Sequence, residues 1–378
     1  MRFRRFLLSS YLSLRKFLLI IPAAVLRFAY ARPADGKAPR NILVIRADRI
    51  GDLVLTMGAF RSLKKRFPEA RLTVAVSPVT RPLADSEPAV DETIALSLGR
   101  FLPAARFIKN IRRRNFDIAV DLTCDWRLET AIMTLLSGAP ARIGWDSGGG
   151  RGLFFTDAVY GDFSSLSVPA ANDRALSALG VSPSAEEPPK LNISKDAAYQ
   201  AAEIFRRNGF ADSDIKAAVH PGGHYPSQRW RPDGFAAVIK YLASRRVKIC
   251  LICSSDEKRL VDRILSPNGE RLSSDGIMEL CGADLDVLAA VVARCDIFFG
   301  NNSGPLHIAA ALNVPTVSVA GPTNPKWFPD GNRHKVLRGD LKCSPCSRGE
   351  CRSHECMKAV SDSEAVAAIA ATLDNLDL

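Results

Sequence analysis

The chain has 378 residues, 47% of them hydrophobic and 24% charged, with a formal net charge of +11. That length suits two ordinary domains, because single cores seldom grow beyond about 250–300 residues. The charge does not describe a basic nucleic-acid-binding body. Residues 1–40 carry nine of the 51 basic side chains and one acid, Asp35, which leaves 42 basic and 39 acidic residues for everything else. The excess belongs to an N-terminal arm, where it suits an anionic membrane surface and not nucleic acid.

With about 100° per residue, Leu7, Tyr11, Leu14, Leu18, Ile21 and Val25 fall on one side of a helix. Arg2, Arg5, Ser9, Ser13 and Lys16 gather on the other. The arm, residues 1–38, therefore reads as a basic amphipathic helix lying in the headgroup plane at the inner face of the cytoplasmic membrane. A spanning helix needs about 20 apolar residues, and Phe17–Leu26 offers only ten between Lys16 and Arg27. A signal peptide ending at Ala29-Tyr30-Ala31 is a rival, interrupted by Arg15 and Lys16. An arm packed on its own domain is the other.

After a linker at Pro33–Arg40, Asn41–Arg46 (NILVIR) reads as a buried strand, Ala47–Gly51 as a loop, and the stretch to Phe67 as a helix ended by Pro68. Arg71–Val76 is the next strand, which makes a βαβ unit and a parallel sheet. A basic helix is expected at Arg106–Arg114 and a strand at Phe116–Leu122. No acid occurs from Arg100 to Phe116 while six basic residues do, so that stretch faces phosphates, membrane or solvent. Ser182–Pro189 (SPSAEEPP) is a polar break that separates a domain at 40–185 from one at 190–358.

Beyond the break the alternation resumes. Helices are expected at Lys195–Asn208, Asp233–Arg245 and Gly304–Leu312, and strands at Lys216–His220, Val247–Cys253, Asp296–Phe299 and Thr316–Val319. A C-terminal helix within 361–378 carries Ala365, Ala368, Ile369 and Leu373 on one face. The fold class is α/β: two doubly wound, Rossmann-like domains facing a cleft, plus the N-terminal amphipathic helix. Ligands of such sheets bind beyond the carboxyl ends of the strands.

Four segments carry candidate chemistry. In Arg46–Leu53 (RADRIGDL), Gly51 permits a tight turn and Asp52 stands at a helix start, as a general base or as an ordinary helix cap. In His220–Trp230 (HPGGHYPSQRW), Gly222 and Gly223 allow a phosphate to approach the backbone, and Arg229 can pair with it. In Gly300–His307 (GNNSGPLH), Asn302, Ser303 and Gly304 present polar groups at a helix N-terminus suited to a pyrophosphate, with Pro305 in the first turn and His307 within reach. Gly321–Pro325 follows the next strand and can close that site.

The fourth segment holds Cys343, Cys346, Cys351 and Cys356, four thiols dense enough for a structural zinc, a redox cluster or plain packing. The other five cysteines, Cys124, Cys250, Cys253, Cys281 and Cys295, sit mostly in apolar runs and read as reduced core thiols.

Taken in order, these segments resemble glycosyltransferase family 9, the lipopolysaccharide heptosyltransferases. ILVIRADRIGDLVLTMGAFRSLKKRFPEARLTV, HPGG with QRW, GNNSGPLHIAAALNVPTVSVAGPTNP and the late CSPC…C…CM carry the likeness over roughly residues 41–376. The resemblance implies a GT-B fold with the acceptor bound by the N-terminal domain and an ADP-sugar by the C-terminal one. It implies inversion at the anomeric carbon with no catalytic metal and no cofactor required.

By position, Asp52 matches the family's base, and Ser303, Gly304 and His307 match its donor-phosphate loop. Arg46, Arg49 and Gly51 then lie on the acceptor side, and Gly222, Gly223, Arg229 and Asn302 on the donor side. The chain departs from many members at Asn302, where they carry an acid, and at Gln228, where they carry a lysine; Arg229 stands beside the second.

The expected function is transfer of a heptose from ADP-heptose to a lipopolysaccharide-type glycolipid. Two other readings fit the same architecture: a nucleotide-sugar or glycolipid binding protein without activity, and a sugar-nucleotide epimerase that needs no acceptor.

Overall fold

The structure is a computed structural model that describes residues 2–30, 38–97, 101–125, 127–183, 189–272 and 275–376. Residues 33–37 of the expected linker and 184–188 of the expected break lie outside the described residues, as does Ala31 of the cleavage motif. The chain divides into two units, Met1–Pro189 and Lys190–Leu378.

The first unit begins with α1 (Arg2–Tyr30), β1 (Asn41–Arg46), α2 (Ile50–Val54), α3 (Met57–Arg66), β2 (Arg71–Val76), α4 (Arg81–Asp85) and β3 (Glu92–Ala95). It continues through α5 (Phe101–Arg112), β4 (Ile118–Asp121), α6 (Glu129–Leu136), β5 (Ala141–Trp145), β6 (Asp157–Val159) and α7 (Val168–Leu176). The six strands form one sheet in the order β3-β2-β1-β4-β5-β6, with every neighbouring pair parallel. Both faces of such a sheet are covered, so its central strands read as unbroken apolar runs. Ile42 to Ile45 of β1 are accordingly buried throughout.

The single helix expected up to Phe67 is two helices, broken at Leu55–Thr56. Thr56 explains the break: its hydroxyl bonds back to the Asp52 carbonyl at 2.7 Å and accepts from Asn172 of α7 at 3.0 Å. The basic stretch around α5 is partly spent inside the domain. Arg114 pairs with Glu92, and Arg112 donates to the Leu136 carbonyl at 3.4 Å.

One flank of α1 is docked. Leu12, Arg15, Leu19, Ala23 and Leu26 recur at helical spacing toward the domain, where Ala23 and Leu26 join a cluster with Ala131, Leu135, Phe154 and Phe155. The helix meets a loop of three left-handed glycines, Gly148, Gly149 and Gly150. Arg15 Nε donates to the Gly149 carbonyl at 2.9 Å, and a Cβ on Gly149 would overlap that guanidinium. Of the row read from sequence, Tyr11, Leu14, Leu18, Ile21 and Val25 are exposed and Phe28 extends it, while the side chain of Leu7 lies outside the described residues. Among the described residues no helix is long and apolar enough to cross a membrane.

The second unit contains α8 (Lys195–Arg207), β7 (Lys216–His220), α9 (Pro232–Ser244), β8 (Lys248–Cys253), α10 (Lys258–Leu265), β9 (Ile277–Cys281) and α11 (Leu285–Val292). Then come β10 (Ile297–Asn301), α12 (Gly304–Ala311), β11 (Thr316–Val319), β12 (His334–Leu337), α13 (Glu355–Lys358) and α14 (Asp362–Leu373). The strand order β12-β11-β10-β7-β8-β9 repeats the plan of the first sheet, again all parallel. Ala365, Ile369 and Leu373 bury one face of α14 in the core that holds Trp230, Phe235 and Phe299.

Two cysteines correct the reading of reduced core thiols. Cys253 and Cys281 end adjacent strands in register, their Cα atoms are 4.5 Å apart, and they form a disulfide. Spacing along the chain carries no sign of this, because the pairing is created by the β8–β9 ladder.

The heaviest buried charge in the first unit is Arg151, paired with Asp121 at 0% exposure on both sides. Its guanidinium also donates to the Thr123 carbonyl at 3.1 Å and to Trp145 O at 3.1 Å. Removing one partner of a fully buried pair strands the other, so Asp121→Asn should cost about 3 kcal/mol in urea unfolding. Asp85→Asn, which breaks the half-exposed Arg81–Asp85 pair, should cost under about 1 kcal/mol.

Candidate active site

In a doubly wound sheet the strand order reverses once, and the loops leaving the two strands at the reversal run apart. In the first sheet the reversal lies between β1 and β4, in the second between β7 and β10. The sequence motifs stand at these places. RADRIGDL leaves β1, HPGG leaves β7 and NNSG leaves β10.

Arg46, the last residue of β1, is 2% exposed and organises the first motif. Its Nε lies 3.2 Å from Asp48 Oδ1 and its Nη2 lies 3.4 Å from Asp52 Oδ1. It also donates to the carbonyls of Asp52, at 3.3 Å, and Leu122. Burial opposes the charge on this guanidinium, but Asp48 and then Asp52 outweigh it and raise its pKa.

Asp52 is buried in the first turn of α2, and the helix cap is Arg49, which is exposed. The cap reading of Asp52 is therefore corrected: its carboxylate is aimed at Arg46. Gly51 is the second residue of α2, so the chain turns before it, at Ala47–Arg49. Asp48 was not singled out in the sequence. Burial, offset in part by Arg46 and reinforced by Asp52, raises its pKa to about 7.

In the second unit Glu257, also missed from sequence, is the hub. A Cβ on Gly222 would lie 2.0 Å from Glu257 Oε1, so the space left by that glycine is filled by a carboxylate. Glu257 accepts from the Gly223 N–H at 3.1 Å and from the Ser254 N–H at 3.1 Å. His220 Nε2 stands 3.5 Å from it and Arg229 Nη2 3.9 Å. Burial works against ionisation here, yet the His220 ring and the Ser254 backbone bring the carboxyl down to about 2. Arg229 also donates to the Gly223 carbonyl at 3.1 Å and keeps 37% of its side chain exposed.

Ser303 is the first cap of α12, but its side chain makes no cap bond. Its hydroxyl lies 3.1 Å from His220 Nδ1 and 3.2 Å from the Asn301 carbonyl. Gly304 opens the helix, and His307 is buried in its first turn. Asn302 donates to Trp327 O at 3.5 Å. Gln228 accepts from the Tyr225 N–H at 3.2 Å and donates to Thr323 at 3.4 Å, tying the HPGG loop to Gly321–Pro325. The structure thus gathers Gly222, Gly223, Arg229, Ser303 and Gly304 around His220 and Glu257.

The cysteine-rich segment fastens the same loops. Ser344 Oγ donates to Gly321 O at 2.6 Å, and Cys346 and Ser347 donate through their N–H groups to Pro322 O. Cys343, Cys346 and Cys351 are exposed free thiols and Cys356 is buried. Burial pushes the Cys356 thiol up, with Cys346, Cys343 and Cys351 adding to it. Among the described residues no three His, Cys, Asp or Glu side chains converge as a metal cage.

Asp48 ionises near pH 3.8 when unperturbed but near 7 in the fold. A raised carboxyl pKa means that the folded form loses stability as pH rises through that interval. The Tm of the native chain relative to Asp48→Asn should therefore decline from about pH 4 to pH 7 and level off above it. A gap independent of pH in thermal melts would contradict the raised pKa.

The model of glycosyltransferase family 9 (heptosyltransferase) matches residues 104–357. Lipopolysaccharide heptosyltransferase 2 of Escherichia coli K12 is 26% identical over 330 residues, spanning 79% of this chain and 91% of that protein. The solved structure of E. coli ADP-heptose lipopolysaccharide heptosyltransferase II superposes with a TM-score of 0.73 at 24% identity, over 89% of this chain and all of that one. A family 9 glycosyltransferase from Veillonella parvula gives 0.76 at 22% identity, over 88% and 97%. These likenesses show the GT-B type of fold. With the motifs in family order on that fold, the chain belongs to glycosyltransferase family 9, the heptosyltransferase family, and is a glycosyltransferase.

Proposed function

We propose that the chain transfers a heptosyl group from ADP-heptose to a lipopolysaccharide-type glycolipid, inverting the anomeric carbon without a catalytic metal. Residues 40–185 bind the acceptor and 190–358 the nucleotide-sugar. The support is the family, together with the relative whose name includes ADP-heptose. The observation that carries the reading is the placement of RADRIGDL and NNSG at the strand-order reversals of their sheets.

In this mechanism Asp52 takes the proton of an acceptor hydroxyl, whose oxygen forms a bond to C1 of the donor. The C1–O bond to the diphosphate breaks, and its electron pair leaves on the phosphate oxygen. Arg46 orients Asp52 from behind. Negative charge developing on the diphosphate is met by the N-terminus of α12 at Ser303–Gly304, by His307 and by Arg229, donors already in place before reaction. Gly222 and Gly223 carry the loop that holds Arg229. Arg49, exposed at the start of α2, and Gly51 lie on the acceptor side.

Asp52→Asn should lower kcat by roughly 10²-fold or more, as loss of a general base does, with ADP affinity retained. Near-normal turnover would remove Asp52 from the role. Activity should persist in excess chelator; its loss there would refute metal independence.

The acceptor's membrane is addressed by α1. Its docked flank leaves Tyr11, Leu14, Leu18, Ile21, Val25 and Phe28 as one outward apolar row on a helix with no acidic residue. A basic, acid-free helix with an exposed apolar row fits an anionic lipid surface, and this supports our reading that the enzyme works at the inner face of the cytoplasmic membrane. Deleting the arm would also strip Phe154 and Phe155 of cover, so point changes are the cleaner test. Leu18→Ser, Ile21→Ser and Val25→Ser together should release the protein from anionic vesicles with its Tm unchanged. Undiminished pelleting would sink this assignment.

A further inference from the structure

Arg46 faces more acid than one cation neutralises. Its guanidinium stands 3.2 Å from Asp48 Oδ1 and 3.4 Å from Asp52 Oδ1. Two of its N–H groups are committed to carbonyls, Nε to Asp52 O and Nη1 to Leu122 O. Among the described residues nothing donates a hydrogen bond to Asp48 Oδ1, which is buried and held by charge alone. A buried carboxylate oxygen without a donor resists ionisation. Burial accordingly raises the pKa of Asp48 to about 7, with Asp52 adding to it against the pull of Arg46.

The other charges around this pair cancel. Asp121, which ends β4, is paired with Arg151, and Arg127 with Asp125. Burial pushes the Cys124 thiol up to about 11, so it is uncharged near neutral pH. Arg49, next to Asp48 in the chain, is exposed. The pocket therefore has two states. With Asp48 protonated, Arg46 and Asp52 form a balanced pair. With Asp48 ionised, the same three side chains carry one net negative charge.

We propose that ionised Asp48 is a positioning residue for the transfer reaction, a second anion that acts through the shared Arg46 and helps draw the acceptor proton onto Asp52. This rests on the reading of Asp52 as the base. In that step the acceptor O–H bond breaks and an O–H bond forms on Asp52. The acceptor oxygen joins C1, and the diphosphate departs with the electron pair of the broken C1–O bond. The migrating proton brings positive charge into the pocket. A balanced Arg46–Asp52 pair gains little from it, whereas the pocket with a surplus anion is neutralised by it. Asp48 and Asp52 keep 14% and 11% of their side chains exposed, so the pair is not sealed from an incoming hydroxyl. Charging Asp48 costs the folded chain stability, and the arriving proton relieves the repulsion between the two carboxylates.

The test is kcat/KM for the acceptor from about pH 5.5 to about pH 9 in the full chain, with ADP-heptose and a heptose-free lipopolysaccharide-type glycolipid. The native chain should gain about tenfold through a limb centred near pH 7, where Asp48 ionises. Asp48→Asn should lose the limb and stay at the native chain's low-pH level, with ADP affinity by calorimetry unchanged. Asp48→Glu should restore the rise. A side chain that only supported the turn would lower activity by one factor at every pH and leave the limb in place. If Asp48→Asn folds poorly, the native chain and Asp48→Glu still decide, because both must show the limb.

A flat native profile across neutral pH, a rise that persists in Asp48→Asn, or a missing rise in Asp48→Glu would overturn the role of Asp48. Asp52→Asn separates this from the underlying reading. If that variant loses turnover, the base stands whatever Asp48 does; if it retains turnover, both fall.

Discussion

A parallel sheet that winds outward in both directions must have one pair of neighbouring strands whose connections leave on opposite faces. At that pair no crossover covers the carboxyl ends, and backbone groups there need other partners. Both sheets of this chain meet the constraint in the same strand order, and both meet it by ending a central strand on a buried polar side chain. Arg46 closes β1 and His220 closes β7. The remaining site residues are arranged around these two.

The two solutions have opposite electrostatic sense. In the first unit one guanidinium serves two carboxylates, Asp48 and Asp52, and burial, with Asp52 adding to it against the pull of Arg46, raises the pKa of Asp48. Such a place suits a group that accepts a proton. In the second, one carboxylate serves an imidazole and a guanidinium, and a helix N-terminus adds its own positive end. That place suits an incoming anion. Buried ions of either kind are tolerated because each stands beside an opposite charge, as unpaired ones would not be.

Strands with continuous apolar or β-branched character were legible to the residue: β1, β2, β7 and β11 begin and end where the sequence reading puts them. β5 and β9 were not read, nor were the outer strands β3, β6 and β12. The last three are short sheet flanks with half-buried residues and no apolar run. The break between α2 and α3 was hidden because it is enforced by Asn172 of a distant helix.

The motifs located the strand ends, but Glu257 and Asp48 escaped attention for a physical reason. A carboxylate becomes notable through the cation and the glycine it meets in space. Only the capping pattern Ser254 to Glu257 was open to inspection, and it announces a turn without saying what the turn will touch. The disulfide between Cys253 and Cys281 is of the same kind, since strand register alone makes it.

The packing of Glu257 into the gap beside Gly222 has a steric corollary. Any side chain at position 222 would collide with the carboxylate, and shortening residue 257 would open a void and release the Gly223 and Ser254 amides. A methyl at 222 would therefore have to push the carboxylate end of Glu257 aside, and with it the bonds that end makes to the two amides.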